Sequence, residues 1–146
     1  MIYNNKKKFR NLSLKENDYK IIESLDVGFF RVQLDGTIIT HNRKYNEIFG
    51  IDPLKCQNGK KTLNYWENQN DREKFLTALK KNGNVKNYIV SAKKIDGETI
   101  ILQGNSHLIT DDNGLPIATE GTIIDITEKH NLQKELEESE KRYRDG

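Results

Sequence analysis

Apolar residues recur along this chain with two different periods. Leu14, Ile21, Ile22 and Leu25 fall at helical spacing, and Ser13 followed by Glu16 has the capping-box pattern, which predicts a helix over about 14–25. In "GFFRVQLDGTIITHN" the period drops to two: Phe30, Val32 and Leu34 alternate with Arg31 and Gln33. Asp35-Gly36 is a turn pair and "TIITHN" returns, so the stretch predicts a hairpin. Tyr45, Ile48 and Phe49 restore helical spacing, and Gly50 is the stop. Residues 51–69 have no period and carry Pro53, Asn58-Gly59 and a single tryptophan, Trp66. Helical spacing resumes with Phe75, Leu76 and Leu79, capped by Asn70 with Glu73 and closed by Lys80, Lys81 and Gly83. Three strands are predicted at 87–95, 98–110 and 117–126, separated by Asp96-Gly97 and by "DNG" at 112–114.

The order is therefore helix, two strands, helices, three strands, helix. Tight hairpins imply antiparallel pairing, so the class is α+β and not an alternating parallel chain. The economical packing is a five-stranded antiparallel sheet with the middle helices on one face. The other face is left to solvent, to the N-terminal helix or to a partner.

Composition narrows this picture. A chain of 146 residues, 34% hydrophobic and 32% charged, suits one domain with polar appendages. The net charge of +2 is uneven, because Lys6, Lys7, Lys8 and Arg10 crowd the first ten residues. A short basic tip on a near-neutral domain predicts a solvated extension and no nucleic-acid partner. One cysteine, Cys56, excludes an internal disulfide and a multi-thiolate metal site, and favours a reducing, cytoplasmic setting. No run is long and apolar enough for a membrane span or a signal peptide, so no membrane contact is expected of these residues, although they could be the cytoplasmic part of an anchored sensor.

The hairpin "GFFRVQLDGTIITHN", then "NRKYNEIFG", "NDREKF" and "KKIDGETIILQGNSHLITDDNGLPIATEGTIIDITEKH", taken in order, resemble a PAS domain over about residues 20–128. The Asp-Ile-Thr ending at Asp125–Thr127 is the most specific element. The resemblance implies a sheet in the order 2-1-5-4-3 cradling a pocket under helices. It also implies a module that senses a small ligand, cofactor, light or redox state, or simply dimerises. "SEKRYRD" is similar to the lead-in to a second such domain, which implies a longer signalling protein. The domain plan is an extended or disordered stretch at 1–12, a flanking helix at 13–25, a PAS domain at 26–127 and a linker helix at 128–146 leading onward.

Specific chemistry can be tested against the residues. The flavin light sensors of the family carry a reactive cysteine in an Asn-Cys-Arg setting, whereas Cys56 stands in "LKCQN". The haem subtypes use a histidine on the middle helix, and "NDREKFLTALKKNG" has none. Both cofactors are disfavoured, and the cofactor is left unknown. His41, His107 and His130 share no metal-ligand spacing and are expected at the surface, with a pH-responsive role as the alternative. No nucleophile elbow, phosphate-cradling loop or nucleophile–base–orienter set is present, so no enzyme is predicted.

Periodicity nominates a pocket wall: Phe30 and Val32 on the first strand, Tyr45 and Phe49 on the first short helix, Trp66, and Phe75 and Leu79 on the middle helix. Val90, Leu102, Gly104 and Ile123 complete it, as either a filled core or a ligand site. Ser91, Gln103, Asn105, Ser106 and Thr122 are polar strand positions available to orient a ligand.

At the exit, Asp125 and Glu128 have reciprocal-cap spacing, with Thr127 a competing cap. The resemblance implies that Asp125 and Thr127 couple the last strand to an outgoing helix. Beyond them Leu132, Leu136, Ser139 and Tyr143 step by four, three and four, an a/d seam with one polar break. This predicts a homodimer through that helix, joined by Leu14, Ile21 and Leu25 of the first helix, or else a solvated linker. The function expected is a sensory module relaying a ligand- or interface-induced change to an output domain, foremost a sensor histidine kinase. The alternatives are a ligand-free dimerisation module and the regulatory domain of a diguanylate cyclase or transcription regulator.

Overall fold

A computed structural model describes residues 15–145. Ser13, Leu14 and the basic residues before them lie outside the described residues. The elements run α1 (Glu16–Ser24), β1 (Gly28–Gln33), β2 (Ile38–His41), α2 (Arg43–Phe49), a 3-10 turn (Thr62–Tyr65), α3 (Gln69–Asn82), β3 (Asn84–Lys93), β4 (Thr99–Thr110), β5 (Pro116–Asp125) and α4 (Thr127–Asp145).

The five strands form one antiparallel sheet in the order β2-β1-β5-β4-β3. Each hairpin closes through a turn of the predicted kind. At the first, Gly36 has φ 92, a conformation that side chains resist, and Asp35 Oδ1 accepts the Thr37 N–H at 2.9 Å. Helix α2 ends on left-handed Gly50 and α3 on left-handed Gly83, whose N–H donates to Leu79 O.

The alternation on β1 puts Val32 into the core, and Tyr45, Ile48 and Phe49 of α2 cover it. The cluster continues through Ile38, Ile51, Tyr65, Ala92, Ile100, Leu102 and Ile123, so the core lies between the sheet and α2, the 3-10 turn and α3. Gly28 permits this closeness, because a Cβ there would meet Ile123 and Ile48 side chains and the Tyr45 backbone.

Asn42 ties the first elements together and is fully buried. Its Oδ1 accepts from Phe29 N (2.8 Å) and Tyr45 N (3.0 Å), and its Nδ2 donates to Ile22 O and Val27 O, both at 2.9 Å. One side chain thus caps α2 and holds the end of α1 against the start of β1.

Two expectations need correction. The N-cap of α3 is Asn68, whose Oδ1 accepts from Asn70 N, so the helix starts earlier than the Asn70–Glu73 spacing predicts. Strand β3 starts at Asn84, not 87. Asn87 hides this start: its φ of 54 makes an irregularity between Val85 and Tyr88, and its N–H donates to Asn105 Oδ1. The aperiodic stretch 51–69 is also anchored, by bridges Thr37↔Lys61 and Trp66↔Ala92.

Candidate functional site

A cavity of about 100 Å³ opens between the sheet and α3. Nine of the nominated wall residues line it: Phe30, Val32, Tyr45, Phe49, Trp66, Phe75, Val90, Leu102 and Ile123. Leu79 and Gly104 do not. Leu79 shares the stripe of Phe75 and Leu76, but one turn on it is fully enclosed by packing. Gly104 has a different task. A Cβ there would lie 2.6 Å from Tyr88 Cζ, so the bare backbone is the seat of the Tyr88 ring.

The wall also contains residues that periodicity left out: Tyr88 and Ala92 from β3, Arg72 and Leu76 from α3, Tyr65 and Thr62 from the 3-10 turn, Thr119 from β5, and Gln33 and Gly36 at the first turn. Some of these were within reach of the pattern. Tyr88 and Ala92 flank Val90 at period two, and Arg72 precedes Phe75, Leu76 and Leu79 at helical spacing. Tyr65 belongs to an aperiodic stretch and had no such signal. None of the polar strand residues Ser91, Gln103, Asn105, Ser106 and Thr122 lines the cavity. Ser106 instead bonds to the Tyr88 hydroxyl (2.9 Å).

Seven of the chain's twelve aromatic residues line this space. Six of them pack in two series. Tyr45, Phe49 and Tyr65 follow one another at centroid spacings of 4.7 and 4.8 Å. Trp66, Phe75 and Tyr88 do so at 5.6 and 4.8 Å. Burial pushes the Tyr88 phenol up to about 12 and the Tyr45 phenol further still, so both are neutral hydroxyls at physiological pH. Arg72 Nη2 donates to Leu34 O at 3.1 Å.

Beside the wall lies a histidine that was expected at the surface. His41 Nε2 accepts from Gln57 N (3.3 Å), while its Nδ1 is buried and unpartnered among the described residues, as is Asn46 Oδ1. Desolvation holds the His41 pKa below the ordinary value, against smaller opposing effects from Asn46, Asn42 and Glu23. Gln57 Oε1 in turn accepts from the Tyr65 hydroxyl at 3.3 Å, so two hydrogen bonds through Gln57 connect His41 to the cavity wall. Ring burial against Tyr45, at a centroid distance of 5.3 Å, is what the surface expectation missed.

The exit is built on β4. Leu102, on the cavity wall, is the register partner of Asp125. The adjacent Ile101 makes two bonds to the junction: its O accepts from Ile126 N, and its N–H donates to Thr127 Oγ1, both at 2.9 Å. Asp125 Oδ1 accepts from Thr127 N (2.9 Å) and from the Thr127 hydroxyl (2.5 Å). Thr127 is thus a cross-strand clamp rather than a competing cap. Asp125 receives a first-turn N–H as expected, whereas the Glu128 carboxylate has no hydrogen-bond partner among the described residues, so no reciprocal cap forms.

From Glu128 to Asp145 every residue of α4 is exposed, including Leu132 (57%), Leu136 (59%) and Tyr143 (90%). Ile21 of α1 is exposed, and Leu25, just past its end, is half-buried. Cys56 is exposed on the loop before the 3-10 turn and is not part of the cavity wall. Among the described residues no cluster of His, Cys, Asp or Glu is arranged to hold a metal ion, and no helix is long and apolar enough to cross a membrane.

Known proteins share this architecture. A family profile described as PAS fold matches residues 16–126. A PAS domain from Colwellia psychrerythraea superposes with a TM-score of 0.67 at 17% identity, covering 77% of this chain and 97% of that one. A sensory box histidine kinase/response regulator from Burkholderia thailandensis gives 0.65 at 17% identity, covering 90% and 100%. A light-oxygen-voltage domain studied with a flavin analogue gives 0.61 at 15% identity, covering 83% and 93%. At these identities the likeness concerns the fold. No curated protein matches the chain.

Proposed function

The chain belongs to the PAS family, and from that premise we propose that it is a sensory relay: a change in the cavity is passed through β4 and β5 to α4. The observation that carries this reading is the shared strand segment at Ile101–Leu102. Leu102 lines the cavity and pairs with Asp125, while Ile101 holds both Ile126 and Thr127. A ligand that displaces the Leu102 side chain acts on the two residues that fix the start of α4. It shifts the output only as far as it binds the two helix settings with different affinity.

The exposed α4, with Leu132 and Leu136 on one seam, is suited to pair with a second copy and to continue into an output domain. A histidine kinase is the output we favour, in line with the sensory box kinase among the structural neighbours. Flavin chemistry of the cysteinyl type does not fit this wall. The one thiol is outside it, and a cavity of about 100 Å³ is small for a three-ring system.

The test is Asp125→Ala with Thr127→Ala in the full-length protein. Expected is a folded protein, by circular dichroism and melting, whose output no longer responds to its signal. Normal switching in the double variant would remove the relay reading.

A further inference from the structure

The chemistry of the wall narrows what the cavity can hold. Among its described lining residues Arg72 is the only charged group, and no carboxylate faces it. The guanidinium is half-buried and pinned by its bond to Leu34 O, which uses only part of its donor set. It has no ion-pair partner among the described residues. A neutral ligand sealing this space would leave a partly desolvated cation without a counter-charge, and a cationic ligand would add a like charge beside it.

The remainder of the wall is mainly apolar and aromatic, with Gln33, Thr62 and Thr119 its uncharged polar residues beside the tyrosines, and apolar cavities of roughly 150 Å³ accept a benzene-sized ring. At about 100 Å³ this one is smaller but only partly enclosed, so it admits a single ring with its substituent toward the opening and excludes long acyl chains and fused ring systems. The hydroxyl of Tyr45, a residue only 3% exposed, has no hydrogen-bond partner among the described residues, so the wall has a second polar group unspent.

Taking the cavity as the input site, as the relay reading requires, we propose that it binds a small single-ring aromatic carboxylate, with the ring among the aromatic side chains and the carboxylate on Arg72. Arginine presents paired N–H donors that match a carboxylate, and charge-assisted bonds of this kind are the stronger class.

The probes are benzoate, benzyl alcohol (the ring without the charge) and acetate (the charge without the ring), titrated calorimetrically into the 146-residue chain. Benzoate is expected to bind saturably, roughly 10- to 100-fold tighter than benzyl alcohol, and acetate more weakly than either. Arg72→Gln is expected to remove most of the preference for benzoate while retaining benzyl alcohol. If that variant does not fold, the wild-type Arg72 Nε–H resonance decides: it moves with benzoate and not with benzyl alcohol.

Equal binding of the two ring compounds, a preference that survives Arg72→Gln, an Arg72 resonance unmoved by benzoate, or no binding of benzoate overturns the ligand class. The relay reading is scored separately, by switching of the Asp125→Ala, Thr127→Ala protein, so the failure of either is distinguishable from the other.

Discussion

The Thr127 hydroxyl oxygen accepts the Ile101 N–H at 2.9 Å, a bond between the first residue of the outgoing helix and a strand 26 positions earlier. β5 lies next to β4 in the sheet, so the main-chain ladder alone could have carried the exit. The threonine adds a side-chain link where that ladder stops, at the Leu102–Asp125 pair. Asp125 holds the hydroxyl proton, which leaves the oxygen lone pairs directed at Ile101.

Thr127→Val keeps the shape and removes this acceptor. Hydrogen exchange of the Ile101 amide should accelerate, while denaturant unfolding shows a loss of only about 1 kcal/mol. Thr127→Ser should restore slow exchange. If Ile101 exchanges equally slowly in the valine variant, the hydroxyl does not hold the junction.

Asn42 is the more expensive position. Asn42→Ala strands two N–H groups and two carbonyls in a site with no exposure, so a loss of about 3–5 kcal/mol is expected by urea denaturation. Asn42→Asp should rescue little of it. The carboxylate still accepts from Phe29 and Tyr45, but it turns an acceptor toward the carbonyls of Ile22 and Val27. Stability of Asn42→Asp close to wild type would show that the two carbonyl bonds contribute little.

What was legible in the sequence follows the same division between pattern and contact. Strand alternation identified Phe30, Val32, Leu102 and Ile123 as inward, and turn pairs such as Asp35-Gly36 identified the hairpins, because both depend on local backbone geometry. Leu79 and Gly104 were misplaced because a period gives a face and not a depth. Leu79 is on the right face one turn too far along, and Gly104 is small because Tyr88 rests on it. Arg72 was passed over because a charged residue on an apolar stripe reads as a solvated edge until Leu34 O is seen to hold it. His41 was assigned to the surface because nothing local shows the loop at Gln57 closing over its ring.

That closure makes stability depend on pH in a definite direction. Burial lowers the His41 pKa in the folded state, so the unfolded chain takes up the proton first as pH falls. The contribution is full above the ordinary histidine value of about 6.5 and is lost as pH falls through the lower folded-state value. The melting temperature should therefore drop on acidification through this window, and less so in His41→Gln. Protonation also removes the acceptor for Gln57 N–H, so Tyr65, bonded to Gln57, should show an acid-induced shift in the wild type alone. Parallel melting profiles for the two proteins would deny His41 this role.

Helix α4 supplies the last prediction. It runs for 19 residues, nearly all of them exposed, with no buried side chain to anchor it beyond the junction. A helix of this length is marginal in water by itself, so packing must come from elsewhere for it to persist. Its own sheet does not provide it, since Leu132 and Leu136 are more than half exposed. A second α4 would cover both, and the one-turn step between them suits a parallel seam. Sedimentation of the chain should show a concentration-dependent dimer, and Leu132→Glu with Leu136→Glu should give a monomer with the sheet intact. Helical content should fall in that variant, because the residues after Thr127 lose the surface they were packed on. A monomeric wild type with α4 fully helical in solution would instead make it a solvated strut, and the relay would then act on its direction alone.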